Sequence, residues 1–218
     1  MQALTHILSP LSAPWCGWTM LTLLLCFILS EVAQPGVISR VATIWQVKTN
    51  NRTYKSAPSN FFGQLLVSVF RICTPAMGIC LCFYEGGDFR WVTYMAVCGL
   101  ILGVMLLKMG CNLWVDFTFR LSRRYEEIYE QYGHLVTMSA IILYPCILVL
   151  FRLDNVLISR WVMGVVTALF LIWFAYRAVR AFYSSLGSIF YILLYFLTLE
   201  VLPLVAVWGI SALMIFNL

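Results

Sequence analysis

The sequence predicts an all-α fold: a polytopic membrane helix bundle of about six transmembrane helices plus a short amphipathic cytoplasmic helix, forming a single integral membrane domain over 1–218. Three observations predict it. Apolar residues make up 62% of the chain and charged residues only 11%, against roughly half and about a quarter in a soluble domain. Mean hydropathy is +0.91. The apolar residues gather into six runs, at 15–33, 61–84, 91–115, 134–151, 161–179 and 186–216, and a helix crosses hydrocarbon with roughly 20 such residues.

Each run carries its own marks. The first opens on Trp15 and Trp18, the aromatic anchors expected at an interface. Residues 1–14 hold no Lys or Arg, Glu31 spoils a small-x-small cleavage pattern before Ala33, and the leucines before Cys26 make a poor lipoprotein signal. The run is therefore expected to stay as a span and not be cleaved as a signal peptide. The second is bracketed by Phe61, Phe62, Phe83 and Tyr84, and the third starts at Trp91 and contains Gly99-x-x-x-Gly103. That spacing lets helices approach closely, within the bundle first and between copies second. Between the third and fourth runs, Phe117 to Gly133 repeats Leu121, Tyr125, Ile128 and Tyr132 at helical spacing, with Arg123, Arg124, Glu126, Glu127 and Glu130 on the other faces. This is the amphipathic helix, suited either to the headgroup layer or to docking a cytoplasmic partner. The fifth run starts at Trp161 and leads into a loop that alternates basic and aromatic residues, Tyr176 to Tyr183. In the sixth, Ser188, Tyr191, Tyr195 and Thr198 share one helical face.

Orientation follows from the basic residues of the loops. One side collects nine: Arg40, Lys48, Arg52, Lys55, Arg120, Arg123, Arg124, Arg177 and Arg180. The other collects three, Arg90, Arg152 and Arg160. The positive-inside rule puts the nine in the cytoplasm and both termini outside. Arg123, Arg124, Arg177 and Arg180 are then the candidate contacts to anionic lipid or to a partner.

Two ionisable residues fall in mid-run, Arg71 in the second and Glu200 in the sixth. Such groups are costly in hydrocarbon and face a bundle interior or a wet cavity. A mutual ion pair would offset part of the desolvation of each. Proline accompanies both: Pro75 frees the carbonyl of Arg71 and Pro203 that of Leu199, while Pro145 frees Ile141 in the fourth run. The three prolines are expected to kink their helices around a shared polar centre of Arg71, Glu200, Tyr195 and Thr198. Two readings are open: a structural brace, or a midplane substrate cavity of the kind transporters build from broken helices.

The chain offers little to other chemistries. The net charge of +5 is dispersed, so nucleic acid is not an expected partner. Eight cysteines include no CxxC, and His6 and His134 lie far apart; reduced packing residues are expected, with no metal and no cofactor. No catalytic residues are expected. A lipid-acting enzyme would draw on Glu126, Glu127, Glu130 and His134, which read instead as a solvated helix face.

The last third carries a more specific pattern. Tyr176-Arg177-x-x-Arg180-x-Phe182 is followed by Phe190-Tyr191, Tyr195, Thr198-Leu199-Glu200 and Leu202-Pro203-Leu204, and the middle holds Gly133-His134-Leu135, Tyr144-Pro145 and Leu148 to Phe151. Over about residues 60–216 this resembles an uncharacterised Bacteroidota membrane family, domain of unknown function 4271. The resemblance puts Thr198, Glu200 and Pro203 on family-like positions. It implies a multi-pass protein of the bacterial inner membrane and brings no activity with it. The expected function is a non-enzymatic scaffold or accessory subunit of a cell-envelope complex, with membrane lipids and other envelope proteins as partners. The alternative is a small transporter or lipid-handling protein using Arg71 and Glu200.

Overall fold

The structure is a computed structural model that describes residues 14–36, 60–83, 90–119, 122–153, 155–182 and 201–217. The described residues form α-helices: α1 (Pro14–Ala33), α2 (Phe61–Phe83), α3 (Trp91–Phe119), α4 (Ser122–Leu153), α5 (Val156–Phe182) and α6 (Leu202–Asn217). Four of them contain stretches long and apolar enough to cross a membrane, Trp15–Ala33, Phe61–Phe83, Trp91–Cys111 and Gly133–Arg152. Leu157–Trp173 and Leu202–Ile215 are shorter apolar helices. The first half of the sixth apolar run lies outside the described residues.

Local chemistry sets the helix ends. Pro35 and Gly36 follow α1, and Gly36 adopts a positive φ of 100°, the conformation that closes helices at glycine. Its N–H donates to Glu31 Oε1 at 2.8 Å, and Asn60 Nδ2 donates to the Ala33 carbonyl at 2.8 Å. The first bond closes the turn after α1; the second satisfies a carbonyl that the helix end leaves open and holds the end of α1 against the start of α2. Gly63 makes that approach possible, because a Cβ there would sit 3.1 Å from Cβ of Gln34. At the start of α5, Asn155 Oδ1 accepts from the N–H groups of Leu157 (3.0 Å) and Ile158 (3.3 Å), an N-cap that begins the helix ahead of the expected 161–179 run.

The separate amphipathic helix is a correction. Its residues from Ser122 onward run into the fourth apolar run as one helix of 32 residues. No proline interrupts the chain between Phe117 and Pro145. Gly133 alone costs a helix only about 1 kcal/mol, too little to break one flanked by good helix formers. The helices also continue through Pro75 and Pro145, while Pro203 falls in the first turn of α6.

Helix α2 is the centre of the bundle and packs against all five others. Of its apolar window 61% is buried, against 17% in α3. Phe70, Ala76, Met77 and Cys82 of α2 are enclosed with Cys16 of α1, Val97 of α3 and Ile147 of α4. Aromatic pairs tie the layers: Phe27–Phe70 at 5.0 Å, Phe70–Tyr144 at 6.0 Å, Trp15–Tyr94 at 5.9 Å and Phe83–Trp208 at 5.6 Å between centroids. Neighbours in sequence alternate in direction. Ala33 of α1 meets Asn60 before α2, whereas the end of α2 at Cys82 meets Ser159 and Arg160 near the start of α5.

Outward stripes complete the picture. Trp18, Leu21, Leu25, Ile28 and Val32 line the outside of α1, and Leu157, Trp161, Val165, Leu169 and Ile172 that of α5. Water rarely covers apolar area so continuous, and hydrocarbon suits it. This surface is consistent with a membrane protein.

Candidate functional site: the polar centre around Arg71

Arg71 sits near the middle of α2 and is half-buried. Its Nε donates to Thr137 Oγ1 on α4 at 2.7 Å. Thr137 is fully buried, and its hydroxyl donates in turn to the Gly133 carbonyl at 2.8 Å. A hydroxyl gives one proton and accepts on its lone pairs, so Thr137 serves both bonds at once. Gly133 gives the guanidinium room: a Cβ there would stand 3.5 Å from Nη1 and 3.7 Å from Nη2.

The direction in which Arg71 points can be worked from the packing. Gly78 of α2 lies against Ile147 of α4, and Arg71 contacts Gly133 and Thr137. From Arg71 to Gly78 is about 10 Å along α2, and from the Gly133–Thr137 turn to Ile147 is about 18 Å along α4, at 1.5 Å per residue. The difference of about 7 Å is the reach of an arginine side chain laid toward the start of its own helix, the direction helical side chains take. The charge is thereby drawn from mid-helix toward the end of the bundle where α2 begins, a snorkelling displacement that reduces its cost in an apolar medium.

Three further polar contacts brace the bundle. Tyr144 Oη donates to the Met20 carbonyl of α1 at 2.9 Å. Arg160 Nε donates to the Cys82 carbonyl at 2.8 Å, placing a cation on the last turn of α2, where helix carbonyls are open and the dipole is negative. Cys82 Sγ donates to the Ser159 carbonyl at 3.5 Å beside it. Each of these polar side chains crosses from one helix to another. Among the described residues, the hydroxyls of Thr74 and Ser211 are buried without a protein partner, and Thr74 follows Arg71 by one turn.

Sequence-predicted residues fare unevenly. Arg71, Pro75 and Pro145 lie in the interior helices, with Tyr144 rather than Pro145 making the interhelix bond. Glu200, Tyr195 and Thr198 lie outside the described residues. Arg123 and Arg124 fall in the first turn of α4, Arg177 and Arg180 in the last two turns of α5. Residues that sequence reasoning missed are Thr137, Tyr144 and Arg160. Gly133-x-x-x-Thr137 is a small-xxx-small spacing and was the signal available for the first of them. No group of three or more His, Cys, Asp or Glu among the described residues is placed to hold a metal.

Fold and polar centre together define a helical bundle consistent with a membrane protein, its central helix braced to its neighbours by buried polar contacts. The chain belongs to the family described as Domain of unknown function (DUF4271), whose model matches residues 17–210. The match begins within α1, well before residue 60, and runs into α6. No curated protein and no solved structure matches the chain.

Proposed function

We propose that the protein is a six-span inner-membrane protein of a bacterial envelope, of the Bacteroidota type that its sequence resembles, and acts there as a non-enzymatic scaffold or accessory subunit of an envelope complex. Loops rich in arginine and lysine face the cytoplasm and anionic lipid, and both termini face the periplasm. The observation that carries the scaffold reading is the Arg71–Thr137 bond at 2.7 Å. The cation is spent on a neighbouring helix, as a brace would be, and its Gly133 cradle is closed by the guanidinium itself. Broken-helix substrate sites, by contrast, hold their charges open to a cavity. One observation favours the second reading, a small transporter or lipid-handling protein: the buried, unpartnered Thr74 hydroxyl one turn from Arg71.

Affinity purification in a mild detergent, with proteins and retained lipid identified together, separates the two. A stoichiometric protein partner is the expected result. A chain that purifies alone with a bound small molecule or lipid overturns the scaffold reading and supports the cavity. Substitution gives a second test: Arg71→Ala removes the bond to Thr137 and should lower stability. A variant that stays as stable as the natural chain but is inactive would favour transport.

A further inference from the structure

Seven of the eight cysteines fall in α1, α2 and α3, with Cys146 in α4, and the structure brings two of them face to face. Cys73 of α2 and Cys98 of α3 approach to 4.0 Å between sulfurs, although 25 residues separate them. Tyr94, one turn before Cys98, donates from its hydroxyl to the Cys73 carbonyl at 3.4 Å and so fixes the two helices at this level. Both thiols are half-buried, neither sealed in the core nor free in solvent. All eight are reduced in this structure.

We propose that Cys73 and Cys98 form an interhelix dithiol that a lipid-soluble oxidant of the quinone class closes to a disulfide. Closing it requires each sulfur to move by about 1 Å, since a disulfide bond is about 2.05 Å long. A χ1 turn of a few tens of degrees at each cysteine supplies that movement. Cys73 lies near the middle of an apolar helix, so water-soluble disulfides do not reach it and the oxidant must partition into hydrocarbon. The step balances. Both S–H bonds break, the sulfur–sulfur bond forms, and two electrons and two protons pass to the two oxygens of the quinone, which leaves as the hydroquinone. The product would join α2 to α3 covalently, at a point where otherwise a tyrosine hydroxyl, the thiol–thiol contact and apolar packing hold them. This property is independent of the scaffold reading and stands or falls without it.

The test uses the full chain purified in detergent and duroquinone, whose ring is fully substituted and resists addition of a thiol. Free thiols are counted by mass tagging before and after exposure. The expected count falls from eight to six, and peptide mapping finds Cys73 joined to Cys98. In Cys73→Ser and in Cys98→Ala, each starting from seven, no loss is expected. An unchanged count of eight in the natural chain overturns the proposal, as does a disulfide that maps to other cysteines or a loss of two thiols that persists in Cys73→Ser. Mapping on the natural chain decides the matter even if a variant fails to fold.

Discussion

Replacing Thr137 with valine removes one fully buried hydroxyl from the contact with Arg71 while keeping the side chain's shape. That hydroxyl accepts from Arg71 Nε at 2.7 Å and donates to Gly133 O at 2.8 Å. A hydrogen bond to a charged group contributes about 1.5–3 kcal/mol in soluble proteins, whereas interhelix hydrogen bonds in membranes average about 0.6 and reach about 1.7 kcal/mol. The short distance and the full burial of Thr137 place this one near the upper end, at about 1–1.5 kcal/mol, a factor of roughly ten in the folding equilibrium. Valine at 137 alone is not clean, because it also leaves a guanidinium N–H facing an apolar surface. A cycle with Arg71→Met and the double variant isolates the pair. Unfolding in mixed SDS and mild-detergent micelles, followed by helical circular dichroism, reads each free energy. An interaction energy of about 1 kcal/mol is expected. Additivity within about 0.3 kcal/mol would refute the reasoning, since Arg71 would then owe its position to something other than Thr137.

Other substitutions probe the remaining braces in the same unfolding assay. Tyr144→Phe removes the bond to Met20 O and is expected to cost about 0.5–1.5 kcal/mol, with the Phe70 ring contact kept. Gly63→Leu meets Gln34 and Ala33 at once, and overpacking of that kind costs about 1–3 kcal/mol. Gly99→Leu, where nothing lies within 4 Å of a Cβ, should stay within about 0.5 kcal/mol of the natural chain. An equal loss at positions 63 and 99 would contradict the packing described.

Much of the architecture was legible because the helices are long and their apolar runs are separated by charge. The bounds of α1 and α2 match the expected spans to within a residue, since Pro35 with Gly36 and the polar stretch before Phe61 punctuate the sequence there. The division between amphipathic helix and span was misread at Gly133. Hydropathy changes there, but nothing in the backbone does, so the helix runs on. The start of α5 was also missed, because an Asn N-cap at 155 is a hydrogen-bonding signal that apolar periodicity cannot register. Arg71 stood out as a charge in an apolar run. Thr137 did not, because its importance depends on which turn of α4 faces α2, a tertiary fact. The same holds for Cys73 and Cys98, whose 25-residue separation matches no motif, and for GxxxG in α3, whose Gly99 and Gly103 face open space rather than a neighbouring helix.

The alternation of helices puts Asn60 and Asn155, both exposed, at opposite ends of the bundle, and the orientation proposed above puts Asn60 inside the cell. Asn60→Cys and Asn155→Cys, each made in the natural chain, should therefore react differently with a membrane-impermeant maleimide applied to spheroplasts. Labelling of Asn155→Cys on intact spheroplasts, and of Asn60→Cys only after permeabilisation, is the expected result. Labelling of both variants from the same side would contradict the bundle itself, and the reverse pattern would contradict its orientation.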